Sequence, residues 1–217
     1  MPTQVQTHRP DDAVTVSASS FAEYAAGDRR RRTEIVTAAH ERAADPDNCG
    51  RVFYLPILAA MATAARSEYP ERVLSGAVAA AELNGQPRAF AEVADGFLAW
   101  WWRSRLTAVD SGATVLRVGE LELVVAPHLA VRDRHGGTQI VLFHLKEAPL
   151  TKDAANAALR VLAVCEPELL AGARPLVVDV RRAKEHRLRR DLSTTRLDAW
   201  LSAEAAAYST HWHHMAP

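Results

Sequence analysis

Cysteine is nearly absent from this 217-residue chain: Cys49 and Cys165 are the only two, in dissimilar contexts and without a C-x-x-C partner. That excludes a disulfide framework or a zinc knuckle and leaves two free thiols expected to be buried. Excess charge is absent too, with 26 basic against 26 acidic residues. Nothing draws the whole molecule toward nucleic acid or an anionic membrane, so any such binding must come from a local patch. No apolar run reaches the roughly 18 residues of a membrane span. The first twenty residues are polar and include Asp11 and Asp12, unlike a secretory signal, so the expectation is a cytoplasmic protein. Several catalytic signatures are missing as well: a glycine-rich phosphate loop, a G-x-S-x-G elbow and H-E-x-x-H. His40-Glu41 lacks the second histidine four residues after the first.

What is present is enough length for one sizeable core and an uneven distribution of residue types along it. Residues 1–18, with Pro2, Pro10 and many Thr and Ser, have no sustained apolar period and read as a flexible arm; residues 19–217 read as one domain. Helical spacing dominates residues 19–109. Ile35, Val36, Ala39 and Ala43 recur at three-to-four intervals in an amphipathic helix over 29–44, which Asp45-Pro46-Asp47-Asn48 ends. Further helices are expected over 52–66, 71–83 and 88–105, punctuated by Pro70, Gly85 and Pro87, which makes about four in this half.

From about Asp110 the chain turns to Val- and Leu-rich stretches of period two. Strands are expected over 114–118, 120–125, 129–133 and 139–146, with His135-Gly136-Gly137 as a hairpin turn between the last two. A helix capped by Thr151 follows over 151–165, then a buried strand over 175–180. A basic hairpin with Ala183-Lys184 at its tip and a helix over 192–213 complete the chain. The expected class is α+β, with a helical N-terminal half packed on a small mixed sheet.

The order of helices, a three-stranded meander, a helix and a strand resembles the PD-(D/E)XK nuclease fold, particularly its RecB-like branch. The local wording is similar over residues 110–190. An apolar strand carries Pro127-His128, a turn rich in glycine follows at Arg134-His135-Gly136-Gly137, and a second strand ends in His144-Leu145-Lys146. The resemblance implies a catalytic set of His128, His144 and Lys146. In that family carboxylates stand where His128 and His144 stand here, and only Lys146 keeps its type. Residues two apart in a strand share a face, so His144 and Lys146 are expected to point together. Asp133, at odd spacing from His128, should face away and flank the turn.

The family's acids hold a divalent cation that polarises the scissile phosphate, and its lysine steadies the nucleophile. Magnesium prefers oxygen ligands, whereas imidazoles suit manganese, nickel or zinc. The resemblance therefore implies magnesium or manganese as cofactor, held by His128 and His144 with a third ligand such as Glu92, Glu120 or Glu122. The alternative is a pair of hydrogen-bonded histidines in a cleft that has lost its metal. Glu82 and Glu92, on preceding helices, are either recruited acids or parts of a solvated face.

Three other features can carry function. Arg181, Arg182, Lys184, Arg187, Arg189 and Arg190 surround a single acid, Glu185, and either grip DNA phosphates or guard an exposed hairpin edge. Arg29 to Arg32 opposes a helix dipole and needs acidic partners or solvent. Trp100-Trp101-Trp102 cannot all enter one core face, because successive helical residues point about 100° apart; one of them is left for a protein partner or a base. His211 to His214 is assigned no role. Three functions follow: a degenerate nuclease-fold protein that binds DNA or a DNA-processing or defence partner, an active manganese-type nuclease, or an interaction scaffold without a nucleic-acid role.

Overall fold

A computed structural model describes residues 14–44, 53–189 and 191–215. Five helices form most of the first half: α1 (Ala18–Ala25), α2 (Arg29–Ala44), α3 (Leu55–Ala64), α4 (Pro70–Ala79) and α5 (Gln86–Ser104). Local chemistry sets their starts. Ser17 caps α1 by accepting a hydrogen bond from the Ser20 amide (3.2 Å). Proline occupies the first turn of α3, α4 and α5, where its missing N–H costs nothing. The unfavourable arginines at the start of α2 are compensated within the chain. Asp28 accepts from the Arg31 amide (2.8 Å), and Arg30, Arg31 and Arg32 pair with Glu34, Glu23 and Glu204.

The strands are β1 (Val14–Ser17), β2 (Thr107–Val109), β3 (Thr114–Val118), β4 (Leu121–Val125), β5 (Leu129–Arg132), β6 (Thr138–His144), β7 (Arg174–Asp179) and β8 (Lys184–His186). They form two sheets rather than the one expected, in the orders β1-β4-β3 and β2-β5-β6-β7-β8. The 120s strand consequently does not pair with the 140s strand. It belongs to the smaller sheet, and β5 lies beside β6 instead. In the larger sheet β2, β5 and β6 are antiparallel, and β7 runs parallel to β6. The crossover between β6 and β7 is α6 (Lys152–Leu170), capped by the Thr151 hydroxyl on the Ala154 amide (3.2 Å). α6 continues past the expected end at Cys165, through Pro167, to Leu170, and the Gly112 amide donates to its Leu169 carbonyl (2.7 Å). The closing helix is α7 (Thr194–Met215).

Residues 14–18 are not an arm. Val14 and Val16 are buried, and β1 pairs in parallel with β4, so a stretch with no helical period is held by a two-residue alternation too short to stand out. Residues 1–13 and Cys49 lie outside the described residues. The same short length hid α1 and β2 from periodicity, and the helices before Thr107 number five rather than about four.

The larger sheet divides two cores. Ile140 and Leu142 of β6 face the core built with α1, α6 and α7, whereas Val141 and Phe143 face α3, α4 and α5. α5 presses so closely on the 3-10 turn Val180–Arg182 that a Cβ at Gly96 would lie 2.0 Å from the Val180 carbonyl oxygen. Trp100 is buried and donates to Glu185 (2.9 Å), Trp101 stacks on Phe97 (5.8 Å between centroids), and Trp102 is 54% exposed. Cys165 is a buried free thiol; burial, and then Glu168, push its pKa up to about 11. Among the described residues no helix is long and apolar enough to cross a membrane.

Candidate functional site

The hairpin of β5 and β6 positions the two histidines. Its turn is held by Asp133, whose carboxylate accepts from the His135 (2.8 Å) and Gly137 (3.0 Å) amides, while Gly136 takes the left-handed φ of 85° that the turn needs. Asp133 thus flanks the turn as its spacing predicts. At the other end the His128 amide, just before β5, donates to the Val141 carbonyl (2.9 Å). Leu129 is the register partner of Val141, so the His128 amide reaches the same residue from just outside the ladder, and the His128 ring lies against Phe143.

These histidines and Lys146 line a cleft of about 290 Å³ together with Glu23 of α1, Arg31 of α2 and Tyr54. The structure thus brings together the three residues His128, His144 and Lys146. Sequence reasoning missed Glu23, which lines the cleft, and Asp179 and His186, which stand beside His144 in the sheet. Glu23, from a helix too short to be seen, pairs with Lys146 and with Arg31 (2.6 Å). Burial raises its pKa against the opposing effects of Arg31 and His144. Asp179 ends β7 as the register partner of His144, and it is 1% exposed, accepting from the Leu150 amide (3.1 Å) and from Arg182 (3.1 Å). His186 of β8 stands opposite Val177, two residues before Asp179 and on the same face, and its buried Nε2 has no hydrogen-bond partner among the described residues. Its pKa is lowered by burial and then by Lys184, with Asp179 opposing. An acid closing an otherwise apolar strand was the one signal that pointed to Asp179.

Proton positions at the two histidines follow from their partners. The Phe143 amide donates to His128 Nδ1 (2.9 Å), so in the neutral ring Nε2 carries the proton. The ring lies against Phe143, 6.0 Å between centroids, and burial pushes its pKa down to about 4. Neither ring nitrogen then offers a lone pair to the cleft. His144 is the converse: Nε2 lies 2.7 Å from the Ala148 carbonyl, which can only accept, so the Nδ1 lone pair remains available.

The expected metal set is not assembled. A metal-bound imidazole gives its lone pair to the ion and its N–H to an outer partner, which His144 allows and His128 does not. Glu92 sits on α5 outside the cleft lining, where it binds Arg88 (2.9 Å) and Arg181. Glu122 pairs with Arg117 on the smaller sheet, Glu120 lies in the turn between β3 and β4, and Glu82 precedes α5; none lines the cleft. Among the described residues no three His, Cys, Asp or Glu side chains are placed to hold a metal ion. The residues present therefore do not fit a magnesium or manganese centre.

The basic run is largely committed within the fold. Arg181 is buried between Glu92, Tyr54 (3.1 Å) and the Leu145 carbonyl (2.8 Å), and Arg182 is tied to Asp179 and the Glu147 carbonyl. Arg187 binds Gln139 (2.8 Å) and Glu185 (3.0 Å), and Arg189 binds Asp191 (2.9 Å). Lys184 is exposed, and Arg190 lies outside the described residues. β7, the 3-10 turn and β8 do form a hairpin, with its turn at Val180–Arg182 just before the expected tip. No family model and no curated protein sequence matches the chain.

Proposed function

We propose that this chain carries a nuclease-like core, resembling the PD-(D/E)XK fold, that binds DNA without cutting it. The observation that carries the reading is the internal use of the groups at the metal-ligand and lysine positions. His128 gives its Nδ1 lone pair to a backbone amide, and Lys146 gives its charge to Glu23. A cleft so committed keeps the shape of a site and gives up its ion. The antiparallel β5–β6 hairpin, the α6 crossover and the parallel β7 support the likeness to that fold. The support for DNA is cationic: arginines with no ion pair among the described residues gather at one end of the larger sheet, within a protein of zero net charge.

The test is fluorescence anisotropy of labelled single- and double-stranded oligonucleotides across 50 to 200 mM salt, conditions chosen because phosphate contacts release counterions. Affinity that falls steeply and linearly on a log–log plot is the expected result. Absence of binding at the lowest salt removes DNA as the ligand. Trp102 is the observation that favours a protein partner instead: it is 54% exposed, with its indole N–H on Glu71 (3.1 Å) near exposed Tyr69.

A further inference from the structure

Arginines across this fold are held by carboxylates, as Arg160 is by Asp198 (2.6 Å), Arg66 by Asp110 (2.8 Å) and Arg88 by Glu92 (2.9 Å). The pattern stops where the C-terminus of α5 meets the β5–β6 turn. Arg103, Arg105, Arg132 and Arg134 are all exposed, and none has a carboxylate partner among the described residues. Three of them, with Ser104, Asp133 and His135, line a cavity of about 460 Å³.

The one acid in that wall is already engaged. The Asp133 carboxylate is bound by the His135 and Gly137 amides and by Arg174 (3.3 Å), so it does not neutralise the neighbouring guanidinium groups. His135 adds a donor. Arg134 Nε donates to its Nε2 (3.0 Å), which leaves the proton of the neutral ring on Nδ1. Arg105 is a second and independent sign. It terminates α5 at φ 49°, a left-handed position where glycine or asparagine is usual and where another residue costs on the order of 1 kcal/mol. A long cation held there at a cost to the backbone points to use of its head group.

We propose that this cavity is a phosphate-binding site, its guanidinium groups and the imidazole N–H taking the oxygens of a phosphodiester in a nucleic-acid strand. The phosphate chemistry stands on the cavity alone; the strand as its source rests on the DNA-binding reading above. The site is separate from the histidine cleft, whose lining includes none of these arginines.

The experiment compares wild type with Arg105→Gly/Arg134→Gln, using inorganic pyrophosphate in calorimetry and a labelled dT oligonucleotide in anisotropy. Arg105→Gly relaxes the left-handed backbone, so the variant should melt no lower than wild type while losing charge. Pyrophosphate affinity should drop at least tenfold, oligonucleotide affinity should drop with it, and the salt slope should fall by roughly 0.7 for each strand contact removed. A control, Arg29→Gln/Arg196→Gln, removes equal charge elsewhere and should leave pyrophosphate binding intact. Unchanged pyrophosphate affinity in the cavity variant, or an equal loss in the control, overturns the site. If wild type binds pyrophosphate but no oligonucleotide, the site stands and the DNA reading falls. If the cavity variant keeps full oligonucleotide affinity, the DNA reading stands and the strand is not the ligand of this cavity.

Discussion

His128 shows how one hydrogen bond redirects a residue's chemistry. Its Nδ1 accepts from the Phe143 amide, and burial holds its pKa at about 4 against about 6.5 in an unfolded chain. The native state therefore refuses a proton that the unfolded chain takes up. This contribution to stability is fully present above about pH 6.5 and falls as pH drops toward 4, by up to roughly 3 kcal/mol. His128→Asn keeps an acceptor near the Nδ1 position and cannot titrate, so urea denaturation should show the difference between wild type and variant shrinking, or changing sign in the variant's favour, as pH falls from 7 to 4. A difference independent of pH contradicts the neutral ring. Alternation along an expected strand over 139–146 put His144 and Lys146 on one face, but β6 ends at His144 and Lys146 lies in the bend beyond it, so only their common place in the cleft is seen. It could not reveal the backbone amide that occupies His128, because that bond comes from Phe143 on the neighbouring strand, 15 positions away in sequence.

Among elements, α5 and β1 show what local pattern can and cannot convey. The apolar stripe and proline start of α5 are visible in the chain, yet Gly96 looks like an ordinary weak point in a helix. Its role comes from the 2.0 Å that would separate a Cβ from the Val180 carbonyl oxygen. Gly96→Ala should destabilise the fold by about 2–4 kcal/mol, since rigid backbone must shift. Gly76, in α4, has open space around it, and Gly76→Ala should stabilise by roughly 0.5–1 kcal/mol. Chemical denaturation of the two variants checks both signs, and equal effects would refute the tight α5 contact. β1 escaped notice because four residues give only two turns of alternation. Val16→Asp would place a carboxylate where the side chain is 5% exposed, in a core shared with Leu121 and Leu123, and should prevent folding or lower stability by at least about 3 kcal/mol. Near-native stability in that variant would return the segment to the role of an arm.

At the scale of the whole molecule, composition correctly placed an α-helical half before a strand-rich one. The division into two sheets was not visible, because β3 and β4 have the same period-two pattern as β5 and β6 and only long-range pairing separates them. The same limit explains the cleft. Its histidines and lysine could be read from one hairpin, while Glu23 arrives from α1 across 123 positions of sequence. Glu92, which the chain order offered as a ligand, is held on α5 by Arg88 and Arg181 and does not line the cleft. The ion pairs of the Arg181 to Arg189 segment likewise lay outside what local sequence conveys, and the proposed phosphate site lies instead at Arg103, Arg105 and Arg134.

The most direct measurement is cleavage of single- and double-stranded DNA by wild type and Lys146→Ala, with magnesium and then with manganese. Binding without a metal-dependent product, in both proteins and with both ions, is the result predicted for a cleft whose histidine and lysine are held by Phe143 and Glu23. Manganese-dependent cutting by wild type that disappears in Lys146→Ala would contradict it and identify a working nuclease.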